Sequence, residues 1–372
     1  MTPDAAQKTA ITAFEPLGGE LVDPPSLMPA SRPLDVSGEA VRARLCVFSN
    51  ASGNETALRP DLTLPVAELE SARRKDGSTD ETTYRYSARA FRLPTSPDQT
   101  MEFVQVGFER FGAESTPASD ADAFGAVMDA IDAANAPVDR IILGDLAIFD
   151  AFVAALELAD ETQAALRRAF RLQGGVSNLL QADAETAEST LIRKATSQAD
   201  AESLVSQMLE LSGTPLVAGR SVSDIAERLR AKADTGGADG LTDAARLILR
   251  DIIQVRGTSI DTLDEVASIA QSHGLYSINP AIEALSKRFD LIKDRVGDAD
   301  LTFDTTFGRR FNYYDGFVFE IFAPGAADTS PMGAGGRYDS LIHRLSAGAA
   351  HATGIGGVVR PERLADAVEA GQ

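Results

Sequence analysis

Apolar and polar positions alternate in some stretches of this chain and recur at helical spacing in others. Residues 3–20 have helical spacing that ends at Gly18-Gly19, and residues 20–30 (ELVDPPSLMPA) form an extended segment stiffened by proline. Residues 44–48 predict a strand, 49–55 a polar turn at Gly53-Asn54, and 58–65 a loop entering a helix that carries Val66, Leu69 and Ala72. Residues 83–93 and 101–111 alternate and predict an antiparallel pair joined through Pro94 and Pro97. A strand at 138–143 leads into a helix through Phe152 and Leu156. From 157 to 275 Ala, Leu, Glu, Gln and Arg dominate, with Leu204, Met208 and Leu211 at helical spacing, which predicts a helical insertion. Asn279-Pro280 then predicts a capped helix with Ile282, Leu285, Phe289, Ile292 and Val296 as its buried stripe. Strands return over 301–322, and a last helix starts near Pro361.

Composition narrows the function classes. With 44% hydrophobic residues over 372 positions, the chain can bury the core of more than one compact unit. Its single cysteine, Cys46, excludes an intrachain disulfide and a cysteine-rich zinc site, which suits a reducing cytoplasm. The N-terminus lacks a basic segment followed by an apolar run, and nothing approaches the roughly 18 apolar residues of a membrane helix. A net charge of −20 opposes phosphate backbones, and the one dense basic run, Arg73-Arg74-Lys75, is followed by Asp76, Asp80 and Glu81. Neither nucleic acid nor membrane is expected as a partner. The three histidines, His273, His343 and His351, have no metal-ligand spacing, so no metal and no cofactor are expected. The glycine clusters at 333–336 and 354–357 lack the strand–turn–helix setting of a dinucleotide loop and are expected to be tight turns.

Candidate chemistry starts on the strand 101–111. Gln105 and Glu109 share a face, with Gly107 between them leaving room. A carboxylate accepts from a cation and an amide orients it, so the face suits an ammonium or imidazole group; the alternative is a polar face turned to water. Further along, GRRFNYYDGFVFE (308–320) and GAGGRYDSLIHRL (333–345) predict a strand with polar groups aimed into a pocket.

Several of these segments resemble histidyl-tRNA synthetases. The family's QxGxE is present as Gln105, Gly107 and Glu109, and LRPEGT appears as Leu58-Arg59-Pro60-Asp61-Leu62-Thr63. RGLDYY is matched by Arg309, Tyr313 and Tyr314, and GGRYDxL by 335–341. The resemblance covers about 10–155 and 278–366. It implies an α/β fold of the class II aminoacyl-tRNA synthetase type, an antiparallel sheet flanked by helices with a helical insertion. The core would be 1–156 and 276–372, and the insertion 157–275. It also implies a pocket for a histidine-like ligand built from Asp61, Thr63, Gln105, Glu109, Arg309, Tyr313 and Tyr314.

Departures from the family are as telling. In FRxE the arginine serves the ATP α-phosphate and the glutamate the adenine; here Arg92 remains and Pro94 replaces the glutamate. The loop that follows carries Asp98 and Glu102 and no base. In the third motif Arg363 is the counterpart of the γ-phosphate arginine, while Arg360 stands where a small residue is usual. Arg92 and Arg363 are thus a remnant nucleotide site. The chain runs eight residues past Leu364, so no anticodon-binding domain is expected. This erosion resembles the regulatory subunits of short-form ATP phosphoribosyltransferase, which opens L-histidine biosynthesis. That resemblance implies a cytoplasmic, non-catalytic protein with no catalytic residues. It would have a homodimer core within a hetero-oligomer, a hetero-octamer, with the catalytic subunit, whose activity and histidine feedback depend on it. The alternative is a truncated synthetase-like enzyme that still activates an amino acid.

Overall fold

The computed structural model describes residues 1–371 except 38, 50, 52, 95–98, 172–174, 182–196, 213–221, 224, 227–240, 259–260 and 309–312. Two compact units divide it, one of residues 1–151 with 254–372 and one of 152–253. The sequence-based expectation set these boundaries at 156 and 276.

Nine strands of the first unit form one sheet. Their order is β1 (Glu20–Leu21), β5 (Thr82–Phe91), β6 (Glu102–Phe111), β12 (Gly354–Val359), β11 (Gly333–Arg337), β10 (Phe317–Phe322), β7 (Arg140–Asp145), β9 (Asp300–Asp304) and β8 (Arg256–Gly257). The six strands from β5 to β7 pair antiparallel throughout, while β1 on β5 and β9 on β7 are parallel. A second sheet orders β2 (Leu27–Pro29), β4 (Glu55–Leu58) and β3 (Val47–Ser49).

Helices Pro3–Ala13, Pro117–Ala133, Asn279–Val296 and Pro361–Ala370 pack together along one side of the large sheet. Phe108 meets Phe14 edge-on at 5.2 Å there, and Phe124 meets Phe319 at the same distance. Helix Pro117–Ala133 escaped the sequence reading although its start is marked. Thr116 and Ser119 cap each other's backbone N–H groups and Pro117 takes the first turn. Helices Thr63–Lys75 and Leu341–Leu345 pack together over a second core of Leu62, Leu64, Val66, Tyr84, Tyr86, Tyr313, Tyr338, Leu341 and Ile342.

Three local expectations are corrected. Helix Asn279–Val296 starts at Asn279, after a turn at Tyr276–Ile278, and its cap position is Ile278. Its buried face includes Arg288 as well as Leu285, Phe289, Ile292 and Val296, and Ile282 is only half-buried. The run 301–322 is two strands, β9 and β10, with Tyr313 and Tyr314 in the connection ahead of β10 rather than on a strand. The clusters Gly333–Gly336 and Gly354–Gly357 are central strands, not tight turns.

The second unit is helical where described, with Asp160–Phe170, Gly175–Gln181, Gln198–Ser212 and Asp243–Ile252. Leu166, Phe170, Val176, Leu180, Ile248, Leu249 and Ile252 are buried in it, and Arg246 donates to the Leu180 carbonyl at 3.1 Å.

Candidate functional site

The register of β5 and β6 sets the site. Tyr84 faces Glu109, Tyr86 faces Gly107 and Ala88 faces Gln105. Directly opposed residues share a face, so these side chains all rise on the same side. Across the next pairing Gly356 faces Glu109, and then Gly336 faces Gly356. The absent side chains make the space. A Cβ on Gly356 would overlap the Glu109 carboxylate, one on Gly336 would lie 2.9 Å from the Tyr314 ring, and one on Gly107 2.7 Å from the Tyr86 hydroxyl. The glycine clusters therefore form a bare sheet floor for a polar cluster.

Glu109 is the centre of that cluster and is 1% exposed. Its Oε1 accepts from the Thr63 hydroxyl at 2.6 Å and the Tyr86 hydroxyl at 3.0 Å, and its Oε2 accepts from the Tyr338 hydroxyl. Burial pushes its carboxyl up to about 7; the three hydroxyls pull the other way and nearby Asp61 adds to the rise.

Asp61 and Gln105 meet the start of helix Thr63–Lys75, whose first N–H groups have no partner within the helix. Asp61 Oδ1 accepts from the Leu64 N–H at 2.9 Å, and Gln105 Oε1 accepts from the Leu62 N–H at 3.1 Å. Leu62 itself is fully buried, so it fills space beside these groups. Burial raises the Asp61 carboxyl, while Arg92, the Leu64 N–H and Arg360 hold it back.

Tyr313 and Tyr314 lie 4.7 Å apart by ring centroid, and Tyr338 stands 5.9 and 6.1 Å from them. Burial first, then the neighbouring carboxylates, raises each of these phenols, so all three remain hydroxyl donors at neutral pH. Asp61, Thr63, Gln105, Glu109, Tyr313 and Tyr314 are thus brought together; Arg309 lies outside the described residues. Tyr86 and Tyr338 are the members that sequence reading missed. The alternation of Tyr84 and Tyr86 along β5 was the available signal for the first.

Beside this cluster stand the arginines. Arg92 Nε donates to the Pro60 carbonyl at 2.7 Å, and Arg363 Nη1 to the Pro331 carbonyl at 2.7 Å. The Arg360 guanidinium lies 3.8 Å from the centroid of the Phe103 ring, and that of Arg92 lies 5.4 Å from it.

Two further charge clusters serve the fold. Asp120 accepts from Arg288 Nε at 2.5 Å and Arg337 Nε at 2.6 Å, and Arg288 also reaches Asp145 at 2.7 Å. Arg337 continues to Asp339 at 3.0 Å and the Ser119 hydroxyl at 2.6 Å. This network ties two helices to β7 and β11 immediately before Tyr338. The basic run is spent locally. Buried Glu70 accepts from Arg73 and Arg74 and from the Tyr84 hydroxyl at 3.0 Å, while both arginines also donate to the Asp80 carbonyl. Among the described residues no group of three or more His, Cys, Asp or Glu could hold a metal ion, and no helix is long and apolar enough to cross a membrane.

The charges of Arg92 and Arg360 act on the buried Asp61 carboxyl. The family model for histidyl-tRNA synthetase matches residues 4–235 and 221–361. Among solved structures, an ATP phosphoribosyltransferase regulatory subunit/histidyl-tRNA synthetase from Bacillus halodurans superposes with a TM-score of 0.65 at 18% identity, covering 98% of this chain and 78% of that one. A histidyl-tRNA synthetase from Nostoc sp. PCC 7120 gives 0.61 at 16% identity, covering 99% and 72%. These structures establish the class II synthetase-like fold. The ATP phosphoribosyltransferase regulatory subunit of Brucella anthropi is 30% identical over 362 residues, 93% of this chain and 92% of its own. That of Rhizobium leguminosarum bv. trifolii is 30% identical over 347 residues, 91% and 90%. With near-full-length kinship on both sides, the chain belongs to the ATP phosphoribosyltransferase regulatory subunits, a family built on the histidyl-tRNA synthetase fold.

Proposed function

We propose that this chain is the non-catalytic regulatory partner of a short-form ATP phosphoribosyltransferase catalytic subunit in the first step of L-histidine biosynthesis. The observation that carries the reading is the 30% identity to the Brucella anthropi regulatory subunit across 93% of the chain. The geometry agrees with it. A flat base needs a free aromatic or apolar face, and the Phe103 face is taken by Arg360. Pro94 offers no side-chain acceptor in the segment after β5. The chain is placed in the cytoplasm, with no catalytic residues and no cofactor of its own.

L-histidine is the effector in this proposal. Its ammonium or imidazole group binds at Glu109 and Asp61, with Thr63, Gln105, Tyr313, Tyr314 and Arg309 around it. Two buried carboxyls with no hydrogen-bonded cation among the described residues support this, because a ligand cation offsets their desolvation. Arg92 and Arg363 remain as the residue of a nucleotide site. The compact core of two copies, within a hetero-octamer, is formed through the small sheet, where Leu27 and Phe48 are 51% and 45% exposed.

The test is reconstitution. The short catalytic subunit is assayed for phosphoribosyl transfer alone and with this chain, with and without L-histidine. Activity should rise on addition of the chain, and histidine should inhibit only the mixture. Unchanged rate and unchanged inhibition would refute the proposal.

A further inference from the structure

Two exposed imidazoles meet where the short helix Leu341–Leu345 ends. His343 Nδ1 lies 3.1 Å from His351 Nε2, and the rings stack with centroids 4.3 Å apart and planes 24° from parallel. They are eight positions apart in the chain, a spacing that marks no metal motif, and the loop between them joins them. Ala347 is left-handed at φ 53°, and its N–H donates to the Arg344 carbonyl at 3.2 Å. The Gly348 N–H reaches back to the His343 carbonyl at 2.8 Å. This pair of bonds closes the helix end and reverses the chain. Buried Ser346 fixes the return: its Oγ accepts from the Ala350 N–H at 2.9 Å and shares its proton with the His343 and Ala350 carbonyls, each at 3.1 Å. Gly348 leaves room for the ring, since a Cβ there would stand 3.3 Å from His343 Cε1. The second imidazole is therefore held beside the first by the backbone, and not by the rings alone.

Neutral imidazole nitrogens bind zinc at about 2.0–2.1 Å and suit copper and nickel as well. At that bond length, two nitrogens 3.1 Å apart subtend roughly 95–102° at one ion, between the square-planar and tetrahedral angles. We infer that His343 and His351 chelate a divalent transition-metal ion, with water in its remaining positions. In the pair as it stands, one ring donates to the other. On chelation the donor ring carries its proton on its far nitrogen, Nε2 of His343 or Nδ1 of His351. Both facing nitrogens then offer lone pairs, and no proton has to leave the pair. The χ2 torsion of histidine is broad, so exposed rings can turn toward the ion. The ion is structural and no cofactor of the transfer reaction. It ties the helix that follows Tyr338 to the approach to β12, whose Gly356 lies opposite Glu109. The inference goes beyond the regulatory assignment and depends neither on it nor on histidine binding.

Calorimetry on the untagged full chain tests it, with zinc(II) and copper(II) titrated in turn in a buffer that binds neither. The variants are His343→Gln, His351→Gln, the double variant, and His273→Gln as a control at the third histidine. Both rings of the pair are exposed, so these substitutions leave the core untouched, which circular dichroism checks. The wild-type chain should bind the ion, copper more tightly than zinc by the general affinity order. Either single substitution should weaken it by about tenfold or more, since even loss of an outer-shell partner costs that much. His273→Gln should bind as wild type does. Zinc should also raise the urea midpoint of the wild-type chain and leave that of the double variant unmoved, because the ion favours the folded pair. The inference is overturned if neither ion binds below about 1 mM, if affinity is unchanged in His343→Gln or His351→Gln, or if it is lost in His273→Gln instead.

Discussion

Glu109 is a carboxyl whose proton should be visible from outside the molecule. Its folded value of about 7 lies above that of an exposed glutamate, so the folded state prefers the protonated form. The stability this contributes is fully present below the unfolded value, near pH 4.3, and is lost as pH rises through about 7. In urea unfolding, wild type should therefore lose about 3 kcal/mol more than Glu109→Gln between pH 4 and pH 8. Parallel profiles would show that the carboxyl is not held protonated. A cationic ligand needs the ionised form, so histidine should bind more tightly as pH rises past 7, with proton release. Glu109→Gln should weaken it by about 1.5–3 kcal/mol. Asp120 is different, because both of its oxygens already hold arginines. Asp120→Asn leaves Arg288 and Arg337 in the interior short of a counter-charge and should cost about 3–5 kcal/mol of stability. A loss below 1 kcal/mol by denaturant midpoint would mean that Asp145 and Asp339 compensate.

Elements with a clear alternation were legible in the sequence, and the hairpin of β5 and β6 is the clear case. Its two strands lie within two residues of the expected ends, because apolar and polar residues alternate over most of each run and prolines follow the first. Elements whose reason lies elsewhere in the fold were not. Nothing local tells that Gly354–Gly357 is a strand, since the vacancy is needed by Glu109 and the Tyr338 ring, far away in sequence. Arg288 sits on a buried helix face because Asp120 and Asp145 await it, and no helical pattern can show that. Likewise Glu109 could be picked out from its strand face, but not the hydroxyls of Tyr86 and Tyr338 that converge on it. The small sheet carries the prediction at this scale. Phe48 lies opposite Thr56, and Thr56 opposite Pro29, on the face away from buried Ala57 and Met28. Phe48→Asp should therefore convert a dimer to a monomer in light scattering while leaving the circular dichroism spectrum intact. Persistence of the dimer would move the contact elsewhere.

At the scale of the molecule, the fold is that of histidyl-tRNA synthetases, and the proposed loss of amino-acid activation rests on a few altered positions. Gly356 lies opposite Glu109 in the sheet, and the Thr63 hydroxyl donates to the Glu109 carboxylate, the group to which the proposal assigns the amine. The next step, in-line attack on ATP, requires a base held flat beside an acceptor for its edge. Arg360 lies on the Phe103 ring, and Pro94 has no side-chain acceptor. Clearing that ring costs binding energy that activation would otherwise use. The full chain should accordingly show no histidine-dependent ATP–pyrophosphate exchange above background. Arg360→Gly alone should not restore it, because Pro94 still lacks the acceptor for the base. Exchange in the wild-type protein would revive the activating-enzyme alternative. Exchange only in Arg360→Gly would show that a single side chain separates regulator from enzyme.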